Sequence, residues 1–323
     1  MRYLFFIIIS FSTLFANAHI FVYHRFADDR YPSANTTIKE LTRHFEYFKK
    51  HNYKVVPLKD IIEKLEKNEN IPSKWIALTI DDAYKSFYEH GLEVFKKYNY
   101  PFSLYVYVKA TDKKYGDFMS WEQIKEASNY GEIGLHSYSH PRLQNLTPTQ
   151  IVEDTKKAYD TFVKKLDIKP QSYAYPYGEY TAQVTKTLKE NFDFKFILNQ
   201  NTGSVNEKTD IYDIPRIALV GDVNINHKLR YKTFDTTWIE PTIFPKDGIL
   251  KRVHAKVDKK YKKLKLYITS NGWRDVKVKD GIVDVELNIY LKRARTRVML
   301  GPDVFTISNN VINKIKQKKG NKK

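Results

Sequence analysis

Three short clusters hold the side chains best suited to chemistry. Thr79-Ile80-Asp81-Asp82 sets two adjacent carboxylates at the end of an apolar run, and His136-Ser137-Tyr138-Ser139-His140 sets two imidazoles four residues apart. Tyr175-Pro176-Tyr177-Gly178 is a turn that follows a third apolar run. Two imidazoles and one carboxylate make a facial set of three ligands for a divalent ion, with positions left for water and substrate. Such an ion acidifies a bound water and polarises a carbonyl oxygen. A second carboxylate nearby can take the water's proton. Adjacent Asp side chains diverge, so one can face the ion and the other the water. Singly, each cluster is a weak signal: paired carboxylates at a strand end often cap a helix, and an H-x-x-x-H on a loop is usually incidental. Their joint occurrence in this order argues for one site. The chain has no cysteine, which excludes thiolate zinc, iron–sulfur clusters, a Cys nucleophile and disulfides. No P-loop, G-x-S-x-G or dinucleotide fingerprint occurs.

The elements around these clusters alternate. Ile20–Tyr23, Lys54–Val56, Trp75–Ile80, Phe102–Val108, Glu132–Leu135, Ser172–Tyr175 and Lys195–Leu198 read as strands. Helical patterns lie between them: Leu41, Phe45 and Phe48 share one face of a helix over Thr37–Asn52. Thr147-Pro148-Thr149-Gln150 is a capping box with Pro at the first helical position. Repeated β-α units imply parallel strands with right-handed crossovers, and the spacing predicts an α/β fold closed as a distorted (β/α)7-type barrel. Chemistry on such a barrel gathers at the carboxyl ends of the strands, where all three clusters fall. Beyond about Phe234 the pattern becomes period two, with turn signals at Asn271-Gly272 and Asp280-Gly281. This predicts a C-terminal antiparallel β-sandwich-like domain.

Composition sets the remaining bounds. The 323 residues are 42% hydrophobic and 28% charged, which suits about two globular domains and excludes wholesale disorder. Aromatics reach 15%; a dense core is the plain use for them, a carbohydrate-facing surface the other. Arg2, the apolar run Leu4–Phe15 and Ala16-Asn17-Ala18 have the form of a secretory signal with an A-x-A cleavage site. The expected division is a signal peptide over 1–18, a barrel over 19–235, a basic β domain over 240–310 and a Lys-rich tail over 311–323. The net charge is +18, of which residues 240–323 carry +14. That surplus suggests an anionic polymer or a membrane surface as partner for the second domain. Nucleic acid is set aside because of the export signal. The expected location is outside the cytoplasm: periplasmic, cell-envelope or secreted.

The three clusters together resemble the polysaccharide deacetylase family, carbohydrate esterase family 4. Its T-[FI]-D-D, H-[ST]-x-x-H and P-x-G elements all occur, and the resemblance covers roughly residues 19–220. It implies that Asp81 is the catalytic base, that Asp82, His136 and His140 bind a divalent metal, expected to be zinc, and that the Tyr177 amide faces a developing oxyanion. Pro176 and Gly178 would shape that turn. Two features depart from the family pattern. The Arg that often lies four residues before the Pro of the third element is replaced by Ser172. Arg216 in Asp213-Ile214-Pro215-Arg216 is the candidate substitute to orient and ionise Asp81, with a barrel-rim Arg as the plain alternative. A late L-x-x-H element, the family's source of a general acid, is not evident. His24 in Val22-Tyr23-His24 resembles the Tyr-His near the start of extracellular poly-N-acetylglucosamine deacetylases, which implies that it is the acid. Trp121 is a candidate sugar platform or, equally, a core residue.

The resulting expectation is an exported metal-dependent deacetylase that hydrolyses N-acetyl groups of an N-acetylglucosamine-containing polysaccharide such as peptidoglycan or an exopolysaccharide. An O-acetyl esterase with the same site, and a non-catalytic glycan-binding protein, are the alternatives.

Overall fold

The apolar runs and 3.6-periodic segments form a parallel sheet wrapped by helices, followed by two mainly antiparallel sheets. The computed structural model describes residues 17–315. The barrel strands are β1 (His19–Tyr23), β2 (Trp75–Asp82), β3 (Ser103–Val106), β4 (Glu132–Leu135), β5 (Ser172–Ala174), β6 (Phe196–Leu198) and β7 (Ile217–Ala218). Their order in the eight-stranded sheet is β7-β1-β2-β3-β4-β5-β6, with Lys54–Val55 paired to the start of β2. Every pairing is parallel. One segment closes the curl: Ile214 bridges to Leu198 of β6, and three residues later Ile217 pairs with Phe21 of β1.

Local sequence explains the helices. Thr37 and Glu40 form a capping box for α1 (Ile38–Lys50), whose Leu41, Phe45 and Phe48 are buried as their spacing predicts. Thr147 and Gln150 form another for α2 (Pro148–Leu166), with Pro148 in its first turn. The aromatic surplus goes largely into the core. Phe45 sits 5.0 Å from Phe95, 4.9 Å from Tyr100 and 5.4 Å from Tyr98 in edge-on contacts between ring centroids.

The second unit is a sandwich of a five-stranded and a three-stranded sheet. Its longer strands are β8 (Thr237–Glu240), β9 (Ile249–Lys256), β10 (Lys263–Ile268), β11 (Gly272–Lys277), β12 (Ile282–Tyr290), β13 (Arg295–Gly301) and β14 (Thr306–Asn313). The two turn signals do different work. Asn271-Gly272 closes the β10–β11 hairpin. Asp280-Gly281, both at positive φ, sends the chain from one sheet to the other, because β12 pairs with β9 and not with β11.

Both edges of the sandwich differ from expectation. Lys232–Thr233 already pairs with β14, so the unit begins before residue 240. At the other end β14 runs to Asn313, so residues 311–313 are strand and not tail; Ile312 is buried in the sandwich core opposite Thr296. The rest of the expected tail, from 316 on, lies outside the described residues, as does the leader up to residue 16. Asn17 and Ala18, expected in the leader, are built into the barrel. Ala18 exchanges two 2.9 Å backbone hydrogen bonds with Val205, and Asn17 Oδ1 accepts from the Thr233 amide at 3.0 Å.

Phe45→Ala should remove a fully buried ring and cost about 3–5 kcal/mol of stability. Urea unfolding of the variant and the parent measures it, and a loss below about 1 kcal/mol would mean that the aromatic cluster does not anchor α1.

Candidate active site

Register places the first two clusters side by side. Asp82 is paired with Val106, and Val106 with Leu135, so Leu135 is level with Asp82 and His136 emerges one residue beyond. Its amide donates to Val106 O at 3.0 Å. The chain then leaves each strand through left-handed backbone: Asp82 (φ 73°), Ala83 (φ 56°), Ser137 (φ 65°), His140 (φ 51°) and Tyr177 (φ 60°). Non-glycine residues adopt this region at a cost, and such strain concentrates at functional sites. The turn at Asp82 is what separates the two carboxylates: Asp81 points into the barrel and Asp82 toward the histidines.

Asp82, His136 and His140 each present a ligand atom, and these atoms lie within 4.8 Å of one another. His136 Nδ1 meets Ala174 O at 2.7 Å, which makes that nitrogen the donor and leaves Nε2 with a lone pair. That Nε2 lies 3.6 Å from Asp82 Oδ1 and 3.2 Å from His140 Nε2, while His140 Nε2 is 3.2 Å from the same oxygen. Asp82 Oδ1 is buried and has no hydrogen-bond partner. Two imidazoles and a carboxylate converging this closely, with His136 Nε2 carrying its lone pair into the set, fit a divalent metal. Burial pushes the His136 imidazole down to about 4, which keeps its lone pair free at neutral pH. The His loop is itself held from α2: Asp154 accepts from the amides of Tyr138 (2.9 Å) and Ser139 (3.0 Å).

Asp81 faces a different partner. Arg216 donates to both of its oxygens, from Nη1 at 2.7 Å and Nη2 at 2.8 Å. The same guanidinium reaches Thr79 Oγ1 (3.0 Å) and Asn199 O (2.8 Å), and both members of the pair are 0% exposed. Burial, the largest influence, pushes the Asp81 carboxyl up. Arg216 and the neighbouring His136 and His24 outweigh it, so the group sits below its ordinary value. Gln200 adds a bond to Oδ2 at 2.9 Å, which leaves Oδ1 with a lone pair to accept a proton.

The third cluster is a tight turn. The Gly178 amide donates to Tyr175 O at 2.8 Å and the Glu179 amide to Pro176 O at 3.1 Å. Gly178 has φ +62°, and a Cβ there would lie 2.5 Å from Gln200 Cβ, so no larger residue fits. The Tyr177 ring is 40% exposed, 4.5 Å from the His140 ring and 4.3 Å from the Arg142 guanidinium.

Of the other expected residues, His24 follows β1 directly, close enough to add to the field at both Asp81 and Asp82, and its buried Nδ1 has no partner. Trp121 is a correction. It opens a helix as expected, but its ring lies in the barrel core at 8% exposure, because the capping box of Ser120 and Gln123 turns that face inward. Little of it remains to meet a sugar. Gln200 and Tyr107, whose ring lies 5.2 Å from that of His140, escaped sequence reading. Both stand just past strand carboxyl ends, and that rule could have found them. Asp154, mid-helix, gives no such signal.

This geometry can be set beside known proteins. A family model described as polysaccharide deacetylase matches residues 68–194. That stretch spans both the Asp pair and the His pair. Over that stretch the chain matches the polysaccharide deacetylase family. Poly-beta-1,6-N-acetyl-D-glucosamine N-deacetylase of Escherichia coli (strain K12) is 24% identical over 243 residues, covering 62% of this chain. Only 35% of that relative's own length is covered. A Streptococcus pyogenes deacetylase, PplD, solved with acetate, has a similar fold at 19% identity and a TM-score of 0.61, covering 67% of this chain and 98% of the other. IcaB from Ammonifex degensii is 24% identical with a TM-score of 0.56, covering 64% of this chain and 92% of the other. At these identities the solved structures speak for the fold.

His136→Ala and His140→Ala should each abolish stoichiometric binding of a divalent transition ion. Elemental analysis after chelation and reconstitution measures this, and parental metal content in either variant would refute the ligand set.

Proposed function

We propose that this polysaccharide deacetylase is a metal-dependent enzyme that removes N-acetyl groups from an N-acetylglucosamine-containing glycan outside the cytoplasm. One observation carries the reading: converging ligand atoms of Asp82, His136 and His140 stand beside a buried carboxylate, Asp81, that Arg216 keeps ionised. The donor set of two imidazoles and one carboxylate suits zinc. Such an ion, when bound, would supply Lewis acidity to water and to the acetyl oxygen.

The chain's own residues divide the remaining work. Asp81 takes the proton of the attacking water on Oδ1 as the new C–O bond forms at the acetamide carbon. The Tyr177 amide donates to the oxygen on which negative charge develops. His24 then gives a proton to the amide nitrogen, the C–N bond breaks, and acetate and a free amine leave. Exposed Tyr177, with Arg142 against its face, lies where a sugar ring would pass. The E. coli relative that acts on poly-beta-1,6-N-acetyl-D-glucosamine supports a substrate of that class. The +14 of residues 240–323 would favour an anionic polymer or membrane surface near the work site, an attraction that salt would screen.

Acetate release from poly-N-acetylglucosamine, peptidoglycan, chitooligosaccharides and acetylated xylan tests the assignment. Release from the N-acetylated polymers is expected; release from acetylated xylan alone would make the protein an O-acetyl esterase. Asp81→Asn should lower turnover about 10²- to 10⁴-fold. It also strips Arg216 of its counter-charge, so it should lower the melting temperature as well. Metal content, measured below that temperature, should stay parental.

His24→Ala should depress turnover of the amide strongly and of an activated aryl acetate weakly, since the latter's leaving group needs little protonation. Equal losses on both substrates would exclude the role of acid.

A further inference from the structure

The β-sandwich sends one side chain into the barrel's site. Arg295, the first residue of β13, donates from Nη1 to Tyr177 O at 2.5 Å. Its Nη2 faces Asn201 Oδ1 at 3.1 Å, Gln200 O at 3.4 Å and Gly178 O at 3.5 Å. Among the described residues it forms no salt bridge. A half-buried guanidinium is therefore spent on carbonyl groups of two loops, both of which belong to the site described above.

The first loop holds the amide assigned to the oxyanion. The peptide unit between Tyr177 and Gly178 is gripped at both ends: its N–H donates to Tyr175 O, and its C=O accepts from Arg295. Tyr177 occupies a left-handed conformation (φ 60°, ψ 4°) that non-glycine residues hold only when their surroundings impose it. With the following peptide plane fixed, the Tyr177 amide has a set direction. The second loop holds Gln200, whose side chain donates to Asp81. One guanidinium thus ties the oxyanion turn to the segment that steadies the base.

We propose that Arg295 is a positioning residue for the deacetylation site, and that the C-terminal sandwich completes the catalytic centre of the barrel through it. This rests on the deacetylase reading. A planar fork with several donors spans the two loops; a lysine ammonium could satisfy one of them.

The experiment uses the full chain with Arg295→Met and Arg295→Lys. In Arg295→Met, kcat on an N-acetylated oligosaccharide should fall about 10- to 100-fold, the scale of a donor held off its line. KM should change less, within about threefold, because Arg295 holds the turn from its backbone side and the Tyr177 ring itself is retained. Arg295→Lys should recover part of the loss. Metal content should equal the parent's, and hydrogen–deuterium exchange should quicken in peptides covering residues 175–180 and 199–202 while the peptides of β2 and β4 keep parental protection. Parental kcat together with parental exchange in those loops would overturn the proposal. So would exchange that quickens throughout the barrel with loss of metal, which marks a purely structural role. Should the parent release no acetate from any glycan, the deacetylase reading fails, and the exchange data alone still decide whether Arg295 clamps the two loops.

Discussion

The buried pair of Asp81 and Arg216 is the constraint on which this architecture turns. Two charges fully out of water are costly, and only near-complete satisfaction of their donors and acceptors makes the arrangement stable. Here the guanidinium uses Nη1, Nη2 and Nε on two Asp81 oxygens, Thr79 and Asn199. Those partners sit on β2 and just past β6, and Arg216 itself lies between the two contacts that close the barrel. The seam and the base are therefore one feature. A shift of the closing segment would leave a carboxylate unpaired in the core, and loss of the carboxylate would leave the seam holding a bare cation.

From that fixed point the rest of the site is a matter of register. Parallel pairing brings His136 to within one residue of the level of Asp82, and left-handed exits turn successive side chains apart. Asp81 and Asp82 are neighbours in sequence with opposite surroundings: a guanidinium for one, two imidazoles for the other. Their different tasks follow from where the backbone turns and not from the residues' own chemistry.

Much of this was legible in the chain. Short apolar runs located the barrel strands and 3.6-period patterns the helices, and the strand-end rule picked out Asp81, Asp82, His136, His140 and the Tyr175–Gly178 turn. What escaped depends on packing between segments distant in sequence. Trp121 reads equally as a sugar platform or a core residue, and only packing decides for the core. Arg216 could have been a rim residue; only closure of the sheet decides its burial. The sandwich edges were misplaced because Lys232–Thr233 is too short to carry a pattern, and because Val311 and Ile312 are followed by a run of lysines that hides the end of β14. Arg295 lies 118 residues from Tyr177, and no local rule joins them.

Closure of the barrel by the segment around 214–218 also imposes an order of events on a chain made from its amino end. The three candidate ligands are all synthesised by residue 140, whereas the counter-charge for Asp81 is synthesised 76 residues later. At elongation speeds of about 5–20 residues per second, the nascent chain spends several seconds with the ligand trio available and the seam open. During that interval Asp81 lacks the guanidinium that pairs with it in the finished barrel. Arg216, the strongest influence holding the Asp81 carboxyl down, would arrive only when β7 docks beside β1, so catalytic competence and barrel closure would be gained together.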